Sequence, residues 1–553
     1  MMEGFAPAHL PIVKEFASRI GLLKIVDEAL SCNMKANPGA ILLGLVMNVL
    51  SGRSPLYRME EFFRARDVAL LLGEGIAAEM LNDDAIGRVL DRIYEYGTWK
   101  IFSEVCVQAF RSFGVDCSVV HHDTTSVSVW GEYESSANDP LHIAHGFSKD
   151  KRPDLKQFVL SLLCAEGNLP CHGGVLSGNA PDKKTNGNIL AELPRIMASH
   201  GQKDFIYVAD SALATEENLS LMGENIRFIT RLPANFSACG VLIREAVASG
   251  SWADVGQLSH RTVKGKEICA GYRLHETQVD LYGKTYRAVV VHSDAHDKRR
   301  QKRIDKLIEK DALEAEERAR NLSCKEFFCL PDAQAAAKAL EGGDLHEVSC
   351  SVAIRPMYGK GRPSKSRVRP IKDIRFWIDA KVKEKKDAVE KLREEAGCFV
   401  LLASVPAEEK RGIDLLRIYK EQDGIERNFA FLKDPLVVND LFLKTPRRIE
   451  AMGLALVLSL LLWRLMERTM RRKAKEEHLP LRGWNNADTL KPTSSMMASK
   501  FSPVFVGLEG GKRFFLSPLD KVQLAYLKAL DVHPSIFTEI ATAKGGVRPR
   551  APS

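Results

Sequence analysis

Between Cys117 and Arg231, short β-branched runs alternate with stretches of helical spacing, and this succession restricts the fold more than any other feature of the chain. Ser118–Gly131 (SVVHHDTTSVSVWG) alternates with period two and predicts a strand with Asp123 at its middle. Phe158–Cys164 and Leu169–Leu176 predict two further strands around a Glu166-Gly167-Asn168 turn. Thr185–Ser199 and Thr215–Met222 read as helices. Phe205–Asp210 (FIYVAD) reads as a short buried strand ending in an aspartate, and Ile226–Arg231 as another strand. The order β-β-β-α-β-α-β describes an antiparallel meander followed by crossovers, hence a mixed open sheet of an α/β protein. In such sheets, active groups gather on neighbouring strands and at their carboxyl ends. An aspartate inside a Val-rich strand is informative, because charges are seldom buried unless paired or metal-bound. The plainer alternatives are a carboxylate bonded to Thr124 or Thr125 for Asp123, and an N-cap of the next helix for Asp210.

The flanking regions differ in kind. Residues 1–115 read as helical, with Leu22, Leu23, Ile25, Val26 and Leu30 at helical spacing, a buried Ala40–Leu50 segment, and Asn82-Asp83-Asp84 as a cap. This region is either a DNA-end-binding module or a plain bundle. Residues 116–232 form the first part of the core, and residues 233–397 an insertion. The insertion contains a hairpin at Gly271–His292, charged helices at Asp294–Leu322 and Ile378–Glu395, a helix at Phe327–Leu340 and a strand at Asp344–Ile354. Residues 398–470 close the core with the strand CFVLLASV, a helix from Tyr419 to Lys433 and an apolar helix at Ile449–Leu465. Residues 471–553 form a tail that is helical at Leu519–Leu530, offers dimer or DNA contacts, and ends in AKGGVRPRAPS, a composition expected to be disordered.

Charge and cysteine usage narrow the partners. The 553 residues carry 79 Lys+Arg against 71 Asp+Glu, a modest +8, so an anionic partner is indicated only where basicity is concentrated. It is concentrated at Arg355–Lys372, which holds seven Lys/Arg and no acidic residue, and again at Lys298–Lys306 and Arg464–Lys473. The 11 cysteines contain no CxxC pair, which argues for reduced thiols in a cytoplasmic protein and against a zinc site. The apolar run Gly453–Trp463 is about half the length of a membrane span, so a buried helix is expected and no membrane association.

Tyr419, Gln422, Glu426 and Lys433 stand at offsets 0, 3, 7 and 14, within about 60° of one another on a helix. A phenol, an amide, a carboxylate and a lysine in one stripe suit a surface facing a metal-bound phosphodiester; a solvated amphipathic helix is the plainer reading. Phosphodiester cleavage needs an activated nucleophile and a neutralised leaving oxygen, which two divalent ions about 3.5–4 Å apart provide. Mg²⁺ takes a few carboxylate oxygens and keeps several waters, so Asp123, Asp210 and Glu426 would suffice.

The strand VVHHDTTS, the strand FIYVAD and Tyr419-x2-Gln422-x3-Glu426-x6-Lys433 resemble the three acidic motifs of DDE transposases of bacterial insertion sequences. They resemble in particular the group with a β-rich insertion between the second Asp and the Glu. HGFSKDKRPDLKQ (His145–Gln157) and SGNAPDKKT also look like stretches common in such proteins, and the resemblance covers about residues 117–470. It implies a ribonuclease H-like catalytic core interrupted by the insertion. It further implies Asp123, Asp210 and Glu426 as ligands of two Mg²⁺ ions, with Mn²⁺ able to substitute, and contacts from Tyr419, Gln422 and Lys433 to DNA near the scissile phosphate. Gln422 stands where the family has arginine, which weakens that one contact. Lys149, Arg152 and Lys156 are expected on the DNA backbone, and Arg362 of KGRPSK resembles the minor-groove core of an AT-hook. The implied partners are double-stranded DNA, as the element's terminal inverted repeats and as target, and a second copy of the chain in a paired-end complex on the bacterial nucleoid. The implied reaction is Mg²⁺-dependent cleavage at the element ends and transfer of the 3′-hydroxyl into target DNA. The alternative is a catalytically inactive, transposase-derived DNA-binding protein. A carboxylate-pair glycosidase is disfavoured by the 7% aromatic content, too little for a sugar cleft.

Overall fold

A computed structural model describes residues 2–31, 34–51, 54–131, 133, 141–263, 266–294, 298–360, 369–433 and 445–540. The chain divides into two compact units, one of residues 1–230 with 418–553, the other of residues 231–417.

The first unit begins with β1 (Glu3–Phe5) and seven helices: α1 (Leu10–Arg19), α2 (Leu22–Ala29), α3 (Pro38–Leu50), α4 (Met59–Arg64), α5 (Val68–Leu72), α6 (Asp83–Tyr96) and α7 (Thr98–Phe113). Pro38 occupies the first turn of α3, where its missing N–H costs nothing, and every residue of α3 is buried. Asn82 caps α6 by accepting from Ala85 N–H at 2.9 Å. The sheet follows: β2 (Val119–Val129), β3 (Lys156–Ala165), β4 (Leu169–Ser177), β5 (Ile206–Val208) and β6 (Arg227–Arg231), in the order β4-β3-β2-β5-β6. β3 is antiparallel to both β2 and β4, whereas β2, β5 and β6 are parallel, with α8 (Asp182–Ser199) and α9 (Glu216–Met222) as crossovers. The mixed α/β sheet expected from the strand order is therefore present.

Two histidines of this unit make a test of its acid stability. His9 Nε2 bonds the Leu50 carbonyl at 3.0 Å, and burial lowers its pKa to about 4. Burial likewise lowers His200 to about 4. Both stay neutral in the folded state, while the unfolded chain takes up protons below about pH 6.5. Stability is thus full above that value and falls as pH drops from about 6.5 towards 4, by up to about 3 kcal/mol per histidine. Urea unfolding at pH 7 and pH 4.5 checks this: the loss should be smaller in His9→Gln by up to about 3 kcal/mol, and an equal loss in wild type and variant would refute it.

The second unit holds α10 (Ser237–Ser249), β7 (Ala253–Val263), β8 (Lys266–Leu281) and β9 (Lys284–Ser293). It continues with α11 (Lys298–Ser323), α12 (Leu330–Leu340), β10 (His346–Tyr358), β11 (Ile371–Glu384), α13 (Lys386–Ala396) and β12 (Cys398–Ala403). The expected hairpin is β8–β9, with Tyr282 and Gly283 at positive φ in its turn. The expected Ile378–Glu395 helix is not formed as such. Ile371–Glu384 is a strand paired with β10, and the helix starts only at Lys386. Ile374, Phe376, Ile378, Ala380 and Val382 alternate with charged residues except at Trp377, and this period of two outweighs the charge density that suggests a helix. Ile378 packs on Phe327, Ala333 and Ala337, and Val382 on Ala315, Ala319 and Val348.

The chain then forms α14 (Gly412–Lys420), α15 (Asp423–Leu432) and α16 (Pro446–Glu476). The single helix expected from Tyr419 to Lys433 is two, because the backbone tightens to i→i+3 bonding at Glu421-Gln422: Gln422 N–H donates to Tyr419 O at 3.3 Å and Ile425 N–H to Gln422 O at 3.0 Å. α16 runs well past the expected Ile449–Leu465 and is the hub of the first unit, packing on α3, α6, α7 and β4. It is long and apolar enough to cross a membrane, but 89% of its apolar window is buried inside the fold. The helix expected at Leu519–Leu530 spans Lys521–Ala529, closed by an Asp520–Gln523 capping box. The AKGGVRPRAPS end, Arg362 and the rest of residues 361–368 lie outside the described residues.

Candidate active site

The register of β2 against β5 sets two carboxylates side by side. Val119, Val120 and His121 pair with Ile206, Tyr207 and Val208, so Asp123 and Asp210 each lie two residues beyond the last paired level on neighbouring parallel strands. Both are half-buried, and both act on the buried Tyr207 phenol, whose pKa is pushed well up by burial first and then by Asp210 and Asp123. Asp123 accepts from Thr124 N–H at 2.7 Å. Asp210 follows β5, accepts from Ala212 N–H at 3.0 Å as cap of a short 3₁₀ turn, and its carbonyl accepts from the Thr230 hydroxyl of β6 at 2.7 Å. The capping role and a ligand role are thus compatible: the strand end that supplies the cap also supplies the carboxylate.

β5 is only three residues long, so the edge of β2 beyond His121 is open to a side-chain visitor. Lys149 docks there. Its ammonium donates to Thr124 O at 2.5 Å and lies 3.6 Å from Asp123 Oδ1, and its backbone N–H donates to Ser126 Oγ at 2.9 Å. The loop bearing Lys149 is clasped through two glycines. Gly178 N–H donates to His142 O at 2.9 Å, and Gln157 Nε2 donates to Gly178 O at 2.7 Å. A Cβ on Gly178 would stand 1.9 Å from Gln157 O, and one on Gly146 2.1 Å from Gly178 O. The stretches HGFSKDKRPDLKQ and SGNAPDKKT are therefore in backbone contact.

α15 packs on β2 and on the β3–β4 turn. Asn428, fully buried, donates to Asn168 O at 2.8 Å and accepts from Arg464 Nε of α16 at 2.8 Å; Arg464 in turn bonds Glu467 at 3.1 Å. Asn428→Ala should cost about 1–3 kcal/mol, since it strands a buried guanidinium N–H. Urea unfolding would read this, and a cost below about 0.5 kcal/mol would show that the network does not anchor α15. Glu426 is exposed in the first turn of α15, where the helix dipole favours a carboxylate. Tyr419 sits in the last turn of α14 and Gln422 in the turn between the helices. Lys433 ends α15 and bonds Asp150 Oδ1 at 2.6 Å. Of the other expected DNA contacts, Arg152 is forked onto Asp154 at 2.7–3.2 Å and lies 5.0 Å over the Trp130 ring, and Lys156 donates to Tyr133 O at 3.1 Å.

His122 and His121 face opposite ways on β2. The His122 ring donates from Nδ1 to Asn186 Oδ1 at 3.0 Å and accepts at Nε2 from Ser161 Oγ at 2.9 Å, while the Tyr207 hydroxyl also reaches Asn186 at 3.4 Å. It is a packed strand histidine. His121 is buried with neither nitrogen hydrogen-bonded among the described residues, and Glu421 Oε2 lies 3.8 Å from its Nε2. Glu421, Asp150 and Asn186 have no sequence signal of their own, because their importance comes from partners 64 to 300 positions away.

The donor chemistry suits Mg²⁺. Asp123 and Asp210 are hard oxygen donors at one level, and Mg²⁺ is commonly held by one or two carboxylates, the remaining positions going to water and substrate phosphate. Among the described residues, no group of three or more His, Cys, Asp or Glu is close enough together to hold a metal ion, so the structure brings Asp123 and Asp210 together without closing a triad with Glu426.

Fold and site together describe an α/β protein with paired acidic strand ends. A domain of unknown function, DUF4277, matches residues 6–107, the helical region packed around α16. No curated protein matches the chain. Among solved structures, the chain is similar to a piggyBac transposase in a synaptic complex with hairpin DNA, at 10% identity and a TM-score of 0.26. That match covers 53% of this chain and 62% of the other.

Proposed function

We propose that this chain is a DDE-type transposase that cuts DNA at the ends of its element and joins the freed 3′-hydroxyl to target DNA. The observation that carries the reading is the placement of Asp123 and Asp210 at one level on adjacent parallel strands, with the Glu426-bearing helix packed on β2. In this reading the core is ribonuclease H-like. Asp123 and Asp210 would hold Mg²⁺ with Glu426 completing the set from the helix packed on β2, and the ion when bound would activate the attacking oxygen and neutralise the leaving one. Lys149, 3.6 Å from Asp123 Oδ1, holds that carboxylate in place and would offer its ammonium to a DNA phosphate. Lys433 and Tyr419 flank the same helix pair and meet the DNA strand.

The test is strand cleavage of labelled duplex carrying the sequences that flank the gene, for wild type and Glu426→Gln, in Mg²⁺ and in Ca²⁺. Cleavage by wild type in Mg²⁺ alone, with duplex binding kept in every case, is the expected result. Binding without cleavage throughout would replace this reading with a non-catalytic DNA-binding protein.

A further inference from the structure

We propose that His121 and Glu421 are a positioning pair for the Glu426 carboxylate: the imidazole on β2 receives Glu421 and so draws the first turn of α15 towards Asp123 and Asp210. The proposal rests on the carboxylate reading above and adds two residues that hold no metal themselves. His121 and Asp123 stand two positions apart on β2 and point to the same face of the sheet. α15 covers that face. Directly across from His121 on β3 stands Cys164, and Asn428 of α15 donates to its Sγ at 3.4 Å. His122, on the other face, is bonded at both nitrogens, to Asn186 and Ser161.

His121 differs from this neighbour. It is 4% exposed, and neither ring nitrogen has a hydrogen-bond partner among the described residues. Buried polar groups are nearly always bonded, and an exception beside a site calls for a functional partner. The partner at hand is Glu421, whose Oε2 lies 3.8 Å from Nε2, beyond hydrogen-bond length by roughly 1 Å. The Glu421 side chain is 69% exposed and makes no hydrogen bond among the described residues, so nothing there holds it away.

The place of Glu421 in the chain gives the pair its leverage. Glu421 begins the tight turn between α14 and α15, and its carbonyl accepts from Gly424 N–H at 2.9 Å. Gly424 lies against the β3–β4 turn, where a Cβ would stand 1.9 Å from Asn168 Oδ1. Further along, Asn428 bonds Asn168 and Arg464, and Lys433 bonds Asp150. α15 is thus tied at its middle and its far end, and the first turn, which carries Glu426, is the end left to adjust. Among the described residues, Asp123, Asp210 and Glu426 do not form a group close enough to hold a metal ion. Shortening the His121–Glu421 contact to hydrogen-bond length brings that turn onto the face that bears Asp123.

The experiment measures Mn²⁺ affinity of the full chain by electron paramagnetic resonance without DNA, so that cleavage plays no part. Groups that hold a metal-binding side chain in place are worth about 10- to 100-fold in affinity. Glu421→Ala and His121→Leu should each weaken Mn²⁺ binding at least about tenfold, and together no more than either alone. Glu421→Gln keeps an acceptor oxygen and should stay within about threefold of wild type. In a Glu426→Gln background, Glu421→Ala should change nothing, because the pair acts through that carboxylate; a further loss there would show a merely architectural role and overturn the proposal. Urea midpoints separate these effects from loss of fold. Glu421→Ala removes an exposed side chain and should melt as wild type, and His121→Leu replaces an unbonded buried ring with an apolar side chain and should melt no earlier. Should His121→Leu fail to fold, Glu421→Ala alone decides. Wild-type affinity in Glu421→Ala, beside a weakened Glu426→Gln, would overturn the pair and leave the carboxylate reading standing. Equal affinity in wild type and Glu426→Gln would overturn both. Absence of cleavage by a wild type whose Mn²⁺ binding follows the expected pattern would fail the transposase reading and keep the pair.

Discussion

Asp210→Asn should reduce Mg²⁺-dependent strand cleavage by at least about 10³-fold, a loss of roughly 4 kcal/mol of transition-state stabilisation, while leaving the fold intact. The argument rests on what the substitution preserves. The amide oxygen of Asn still accepts from Ala212 N–H, and the backbone carbonyl of residue 210 still accepts from Thr230 Oγ1. The strand end, its 3₁₀ turn and the register with β2 therefore remain. Only the negative charge is removed, together with its share of any metal affinity. The measurement is single-turnover cleavage of the labelled duplex beside a urea melt. Cleavage within tenfold of wild type, with an unchanged melt, would remove Asp210 from the chemistry.

Gly178→Ala should destabilise the first unit by about 3 kcal/mol or more, at or above the upper end of ordinary overpacking. A Cβ at this position would meet three backbone atoms: Gln157 O at 1.9 Å, Ala144 O at 2.6 Å and Gln157 C at 2.8 Å. A clashing side chain can rotate away, but these carbonyls belong to β3 and to the loop bridged to it at Ala144↔Gln157. Relief means moving the loop off the sheet, and that loop carries Lys149 to the open edge of β2. The urea midpoint should fall, and cleavage by the still-folded fraction should fall too as Lys149 leaves Asp123. Wild-type stability in Gly178→Ala would show that the loop is not clasped there.

The strand order of the sheet was legible because period-two runs and short turns are local signals, and Asp123 and Asp210 were conspicuous as charges in β-branched runs. The same locality explains the misreadings. Ile378–Glu395 carries enough Lys and Glu to resemble a solvated helix, and only packing of its even-numbered apolar residues on α11 and α12 makes its first half a strand. The helical stripe of Tyr419, Gln422, Glu426 and Lys433 assumes uniform winding, and the tight turn at Glu421-Gln422 divides it between two helices.

By itself, the sequence determined which segments are strands of the mixed sheet, that α16 is a buried helix, and which carboxylates lie at strand positions suited to chemistry. Tertiary structure alone decided that Lys149 sits on the β2 edge, that Lys433 meets Asp150, and that Asn428 and Arg464 join α15 to α16. The physical reason is range. Periodicity and turn chemistry act over a few residues, whereas these contacts join groups 25 to 283 positions apart, and their geometry exists only once β2, β5 and the helices are packed.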